Sequence, residues 1–199
     1  MTDGDKVIDS DDMTVIGNTA PKHFGGFNTS FRYKSFDLTA AFNWSYGNDI
    51  YNATKIQLYD GTPKETNLSA DFANAYTLLD DSGNIITSLS ELNTRNAKAT
   101  MYSPYLGSPI LHSGLIEDGS FLRLNNLTIG YTFPQKWTKV IGLNKARLYV
   151  TGTNLFCITS YSGYDPEVDA YSSNALTPGV DSWGYPKTRS YVFGVNLTF

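Results

Sequence analysis

The chain has 199 residues and a net charge of -4, a length that accommodates one or two domains. Aromatic residues make up 14% of it and charged residues only 17%, against roughly 25% in soluble domains, a balance that suits a sheet-rich surface at an interface. The charge gives no basic footprint for nucleic acid, no apolar run reaches the about 18 residues of a membrane-spanning helix, and the single Cys157 excludes an internal disulfide.

The first twenty residues are acidic and turn-rich. Four aspartates match positions three, five, nine and twelve of a calcium-binding loop: Asp3, Asp5, Asp9 and Asp12. The first ligand would fall on Met1, however, and Lys6 stands where the sharp turn needs glycine. Calcium binding and a solvated acidic loop are both open, and the loop is the simpler interpretation.

Two strands are predicted over 23–34 and 36–46, with almost nothing between them, because apolar and polar residues alternate. From Phe36 to Tyr46 the alternation is unbroken. This length exceeds the usual five or six residues and matches the roughly 9–11 residues with which a tilted strand crosses a bilayer. Trp44 and Tyr46 lie at one end, where membrane barrels carry an aromatic girdle.

Residues 47–120 lack this regularity and are predicted to form a long surface loop of functional importance. Short helices are predicted within it over 52–59 and 69–79. Asn67 or Ser69 would cap the second helix, and Gly83 lies beyond its end.

Three further strands are predicted over 121–133, 146–159 and 189–199, with a second long loop at 160–188. Pro134 ends the first of them, and the alternation of 146–159 is blurred. In the last strand only Val192 breaks a strict alternation, in which the apolar positions are Tyr191, Phe193, Val195, Leu197 and Phe199.

The links between these five strands are very short, very long, short and long. Outer-membrane barrels alternate in this way, with tight periplasmic turns and long extracellular loops. Five strands cannot close a membrane barrel. The predicted fold is therefore all-β: antiparallel up-and-down strands forming part of a transmembrane β-barrel, with long extracellular loops that carry short helices.

Three strings resemble the carboxy-terminal signatures of the SusC/RagA-like, TonB-linked outer-membrane transporters of the Bacteroidetes group. They are D-G-S-F-L-R-L-N-N-L-T-I-G-Y-T-F-P at 118–134, N-L-F-C-I-T-S-Y-S-G-Y-D-P-E at 154–167 and Y-P-K-T-R-S-Y-V-F-G-V-N-L-T-F at 185–199. Weaker similarity covers the first fifty residues, including G-G-F at 25–27 and I-Y-N at 50–52.

The resemblance implies a barrel of roughly 22 strands with a plugged lumen, located in the outer membrane of a Gram-negative cell. It also implies coupling to TonB through an amino-terminal part that these residues do not include, and a SusD-like surface lipoprotein as lid. Such pairs import glycans or peptides, and this portion of a barrel is not expected to transport by itself. Phe199 resembles the terminal aromatic residue that the barrel-assembly machinery recognises.

The second long loop supplies the candidate contacts with a ligand or a lid. Aromatic faces beside polar groups suit stacking on sugars or contact with a protein, and the candidates are Tyr161, Tyr164, Asp165, Trp183 and Tyr185. The same residues could instead pack to stiffen the loop.

No catalytic residue, metal site or cofactor is predicted. Asp165 and Glu167 flank Pro166, and a carboxylate pair can hydrolyse glycosides, but these two could equally cap a turn or pair with Lys187 or Arg189. His23 and His112 lack the spacing of a metal site or a catalytic triad. The leading hypothesis is non-catalytic nutrient uptake. The alternative is a soluble extracellular β-sandwich that binds carbohydrate.

Overall fold

The structure is a computed structural model that describes residues 10–59, 67–103, 111–168 and 177–199. Contacts divide the chain into two compact units, one formed by residues 1–51 and 116–199 and the other by residues 52–115. Within the described ranges, no helix combines the length and apolar character that a membrane span requires. Asp3, Asp5 and Asp9 of the calcium-like spacing lie outside the described residues.

The described residues of the chain form eight strands, which lie in the first unit except for Asn52 at the end of β3. In chain order they are β1 (His23–Tyr33), β2 (Phe36–Tyr46), β3 (Asp49–Asn52), β4 (Ile116–Asp118), β5 (Phe121–Thr132), β6 (Lys145–Thr159), β7 (Val180–Asp181) and β8 (Ser190–Thr198). Two helices, α1 (Ala53–Tyr59) and α2 (Leu89–Arg95), belong to the other unit. A third helix, α3 (Gln135–Thr138), and a 3₁₀ turn at Lys139–Ile141 lie between β5 and β6.

The five long strands form one antiparallel sheet in the order β1-β2-β5-β6-β8. Each long strand pairs with the next long strand along the chain, which is the up-and-down arrangement. The predicted class, antiparallel β-structure with few helices, is confirmed. The ends of these strands differ by at most one residue from those that alternation predicts.

The strand registers give this sheet one apolar and one polar face. Directly paired residues share a face, and one such row runs across all five strands through Phe31, Leu38, Ile129, Val150 and Phe193. Phe193 is 80% exposed, so no second sheet of the described residues covers its side chain. The apolar residues thus form a continuous exposed band on one side of a single layer.

A bulge in β5 explains why its apolar residues change parity along the strand. The register with β6 pairs Leu124 with Phe156 and Asn126 with Thr153, so that Asn125 is skipped. Leu127 and the residues after it use odd positions for the apolar face, and Leu122 and Leu124 use even ones. The N-N pair in the sequence marks this change of phase.

A second, smaller sheet interrupts the regions predicted as long loops. Its order is β4-β3-β7, with Ile50 of the central strand almost fully buried. The prediction that 47–120 and 160–188 are loops was therefore wrong near the ends of these ranges, where β3, β4 and β7 form. Two- to four-residue strands were missed because they are too short to show a period of two.

The unit of residues 52–115 contains α1 (Ala53–Tyr59), close to the predicted helix at 52–59, and α2 (Leu89–Arg95), which was not predicted. The helix predicted over 69–79 is wrong: only a 3₁₀ turn forms, at Ala70–Asn74, capped by Ser69. Beyond it the backbone pairs with residues distant in sequence, as in Tyr76 N to Met101 O at 2.8 Å. These pairings override local helix propensity.

Candidate functional site

The polar face of the large sheet carries side chains that bond to one another across the strands. The hydroxyls of Thr128 and Thr151 lie 2.8 Å apart, and those of Ser30 and Thr39 lie 3.3 Å apart. Such bonds satisfy polar groups that would be costly to leave unpaired away from water. The polar side chains of this face therefore satisfy one another across the strands.

An ion pair crosses the sheet at the end where the links are short. Arg147 Nε of β6 donates to Asp37 Oδ1 of β2 at 3.0 Å, and its Nη2 donates to Oδ2. Because β5 lies between these strands, the guanidinium must pass over Gly130. A Cβ atom there would sit 2.3 Å from Nη2, so glycine is needed for this bidentate pair to form.

The opposite end of the polar face holds a group of charged and polar side chains around the buried pair Arg123 and Asp165. We call it the Arg123 cluster: Asn43, Arg123, Asp165, Glu167 and Lys187. Arg123 of β5 donates from Nη2 to Asp165 Oδ1 at 2.5 Å. Its Nε lies 2.7 Å from Glu167 Oε2, an ion pair without a straight hydrogen bond. Lys187 Nζ contacts the same Glu167 oxygen at 2.6 Å, and Asn43 Nδ2 donates to the other at 3.1 Å.

The backbone around the Arg123 cluster is held by the same carboxylates. Asp165 Oδ1 also accepts from Glu167 N at 2.9 Å, and Asp165 Oδ2 accepts from Lys187 N at 3.3 Å. One side chain thereby connects β5, the Y-D-P-E segment and the segment that leads into β8. Both carboxylates are matched by cations, so neither has the free geometry of a general acid or base.

A second buried contact fixes the start of the same loop. Tyr161 donates its hydroxyl to Asp181 Oδ2 at 2.6 Å, and both side chains are buried. Burial in the first place, and the hydrogen bond to Asp181 in the second, raise the pKa of Tyr161 well above its ordinary value. Tyr161 therefore keeps its proton, and this contact, across the physiological pH range.

The string D-G-S at 118–120 forms the junction between the two sheets. Ser120 donates from N and Oγ to Asp118 Oδ1 at 2.9 and 2.5 Å, and these bonds lower the pKa of Asp118. Gly47 N donates to Ser120 Oγ at 2.9 Å. Gly119 lies against Ile50, and a Cβ there would come within 2.7 Å of Ile50 Cγ1. Each residue of the D-G-S string thus makes a contact, or leaves a space, that the junction requires.

The five predicted loop candidates divide into two groups. Tyr161 and Asp165 are buried and engaged within the chain. Tyr164, Trp183 and Tyr185 expose 73%, 50% and 87% of their surface. Among the described residues of this loop, the accessible aromatic surface therefore comes from these last three, and their contact with a ligand or lid stays a prediction.

Sequence reasoning missed most partners of the Arg123 cluster. It anticipated Lys187 for this acidic pair, which the structure gives to Glu167, but not Arg123 or Asn43. The signal available was that both residues alternate with the apolar positions of their strands. Arg123 and Asn43 are therefore directly paired across β2 and β5 on the polar face. A buried cation there requires a carboxylate from another segment.

Neither histidine lies in a metal-binding or nucleophilic arrangement. Trp44 Nε1 donates to His23 Nδ1 at 3.2 Å, and Gly114 N donates to His112 Nδ1 at 3.1 Å. In the ranges that the structure covers, no three His, Cys, Asp or Glu side chains form a group that could hold a metal ion. Phe199, the predicted assembly signal, is exposed beyond the end of β8.

No protein-family model matches the chain. It is, however, 32% identical over 99% of its length to TonB-dependent receptor P3 of Formosa agariphila, and 26% identical over 98% to TonB-dependent receptor SusC of Bacteroides thetaiotaomicron. The matches cover 18% and 17% of those proteins. The chain thus spans less than a fifth of the length of these relatives.

Solved structures give the same result for the fold. The RagAB peptide transporter superposes with a TM-score of 0.71 at 25% identity, covering 93% of this chain and 18% of that one. The RagAB peptide importer in its closed-closed state gives 0.69 at 26% identity, with the same coverage. These findings confirm the predicted resemblance, and with it the outer-membrane location that the resemblance implies.

Proposed function

We propose, from the premise that this chain is a homologue of the SusC-like TonB-dependent receptors, that it forms the carboxy-terminal part of the β-barrel of a nutrient transporter. The transporter takes up glycans or peptides across the outer membrane by binding and passage, without bond chemistry. TonB supplies energy through the amino-terminal part, and a SusD-like lipoprotein covers the barrel.

The observation that carries this proposal is the two-sided character of the large sheet. Its apolar residues form an exposed band, whereas its ion pairs and paired hydroxyls lie on the other face. A membrane barrel needs lipid-facing apolar residues outside and polar residues inside. The alternative, a soluble β-sandwich, would require the apolar face to lie under a second sheet, which the exposure of Phe193 does not support.

The lengths of the links support an orientation in the membrane. The connections after β1 and β5 are short, whereas those after β2 and β6 are long and carry the small sheet and the accessible aromatics. Barrels place their long loops outside the cell and their short turns in the periplasm. In this orientation the Arg123 cluster lies near the extracellular mouth and Phe199 lies on the periplasmic side.

Binding is assigned to the extracellular loops. Tyr164, Trp183 and Tyr185 offer aromatic faces beside the polar backbone of a Gly- and Pro-containing loop, and such faces stack on sugar rings or pack on peptide side chains and on a protein lid. Both substrate classes remain within this proposal, since aromatic stacking serves each of them.

The test uses fractionated cells that express the full-length protein. We expect the protein to sediment with the outer membranes, to migrate differently on gels before and after heating, and to retain, once purified, glycans or peptides that mass spectrometry identifies. Tyr164→Ala with Tyr185→Ala should reduce the retained ligand without altering the heat-dependent migration. A soluble product with heat-independent migration would contradict the proposal.

A further inference from the structure

The accessible aromatics of the second loop are covalently next to the Arg123 cluster. Tyr164 directly precedes Asp165, and Tyr185 lies two residues before Lys187. Asp165 and Lys187 are in direct contact, because Asp165 Oδ2 accepts from Lys187 N. The other oxygen, Asp165 Oδ1, accepts from Arg123 Nη2. The two exposed rings therefore project from backbone segments that both bond to the Asp165 carboxylate, which Arg123 holds.

Arg123 belongs to the wall of the sheet rather than to the loop. It lies near the start of β5 on the polar face, directly paired with Asn43 and Cys157 on the adjacent strands. Its side chain is only 5% exposed and contacts two carboxylates from the same loop segment. Its guanidinium also lies over the ring of Phe121, at 5.7 Å from the centroid. The cation is thus held at the wall by Phe121 on its own strand and by the two carboxylates of the loop.

The chemistry of the contact requires arginine in particular. A planar guanidinium can meet Asp165 with Nη2 and approach Glu167 with Nε at the same time, whereas an ammonium is a single point charge. A buried carboxylate that loses its cation becomes an uncompensated charge, and the segment carrying it moves toward water. Removal of Arg123 should therefore release the Y-D-P-E segment from the wall.

We infer that Arg123 is a positioning residue for ligand contact: it holds Tyr164 and Tyr185 at the extracellular mouth of the barrel through Asp165 and Glu167. The inference rests on the proposed function for the role of the rings as contacts. The position of the segment itself can be measured without any ligand.

The chain provides a matched control on the same face. Arg147 is a second arginine that pairs with a carboxylate on this face: it binds both oxygens of Asp37, at the end of the sheet with the short links. Arg147→Gln removes an ion pair of the same kind without touching the loop. It therefore separates a general weakening of the sheet from a local release of the loop.

The first readout is a distance distribution between spin labels in the full-length transporter. One label replaces the exposed, apolar-face Ile158 of β6 and the other replaces Tyr164. We expect a single narrow distribution in the parent and with Arg147→Gln, and a broad one with Arg123→Gln. Glu167→Gln provides a milder change if Arg123→Gln does not fold, and it should broaden the distribution partially. A narrow distribution in both Arg123→Gln and Glu167→Gln would overturn the inference.

The second readout is binding of two probes, maltoheptaose and a tryptic digest of casein, using whichever the parent retains. Arg123→Gln should weaken binding at least about tenfold, as Tyr164→Ala should, since both rings would then have to be ordered on binding. Arg147→Gln should leave binding unchanged. Unchanged binding in Arg123→Gln, when Tyr164→Ala weakens it, would overturn the inference. If Tyr164→Ala has no effect, the ligand contact of the proposed function fails, and the distances alone decide whether Arg123 positions the loop.

Discussion

Replacing Phe193 or its neighbour Val192 by arginine tests which face of β8 meets lipid. The two residues are adjacent, both apolar and both exposed, at 80% and 51%. They lie on opposite faces, since Phe193 pairs with Val150 in the apolar row and Val192 pairs with Thr151 in the polar one. The same substitution at nearly the same depth therefore compares the two environments.

The expected magnitude follows from the depth of Phe193. It lies about 10 Å along the strand from Ser190 and about 16 Å from Thr198, at roughly 3.3 Å per residue, so it is close to neither membrane interface. Arginine on the lipid face near the midplane costs about 2–4 kcal/mol, a factor of about 30 to 900 in the folding equilibrium. Val192→Arg should stay within about 0.5 kcal/mol of the parent, as surface substitutions usually do.

The assay is urea-dependent folding of the full-length barrel into lipid bilayers, followed by heat-dependent gel migration. Phe193→Arg should shift the transition to lower urea, and Val192→Arg should leave it nearly in place. Equal shifts, or a larger shift for Val192→Arg, would refute the assignment of the two faces.

Three further predictions concern the junction, the loop and the terminus. Gly119→Ala should destabilise the junction by about 1–3 kcal/mol through its clash with Asn48 and Ile50, seen as faster proteolysis of the extracellular loops; unchanged cleavage would contradict it. Tyr161→Phe should speed amide exchange of residues 161–168 by an amount equivalent to about 1–3 kcal/mol. Because folding raises the pKa of Tyr161, the stabilisation from its hydrogen bond to Asp181 is complete below the ordinary tyrosine pKa of about 10. This stabilisation is lost only at higher pH, so Tyr161→Phe should change amide exchange equally at pH 6 and pH 9. A difference between the two pH values would argue against this bond. Deleting Phe199 should reduce membrane insertion more than Phe199→Trp, and equal effects would count against an assembly signal.

The long strands were predictable because a period of two fixes both their extent and their faces. The run from Phe36 to Tyr46 shows this most clearly, since all of its apolar residues except Ala41 lie on the apolar face. The phase change in β5 was also readable, because two consecutive asparagines interrupt the alternation. In each case the information is local, within one strand.

Features that depend on distant residues were not predictable. β3 and β7 are short, and Tyr51 N finds its acceptor at Gly179 O only after the chain has folded. The helix expected over 69–79 gives way to pairing with residues near 100. The α2 helix, by contrast, carries a readable signal, since Ser88 and Glu91 have the spacing of a capping box and Ser88 Oγ accepts from Glu91 N.

The Arg123 cluster shows the same limit at the candidate site. The acidic pair and its lysine partner were visible as a charge pattern near Pro166, but their cation on β5 lies 42 residues away in sequence from Asp165. Only the register of β2 with β5 places Arg123 on the inward face. Once that register is known, a buried arginine requires such a partner.

Solvent accessibility along β8 in a bilayer tests the central claim most directly. Each residue from Ser190 to Thr198 of the full-length protein is replaced in turn by a spin-labelled cysteine, and its collisions with oxygen and with a water-soluble nickel chelate are measured. We expect a period of two, with oxygen favoured at the odd positions 191–197 and nickel at the even ones. Odd positions that neither reagent reaches would show that the apolar row lies under protein and would contradict the account.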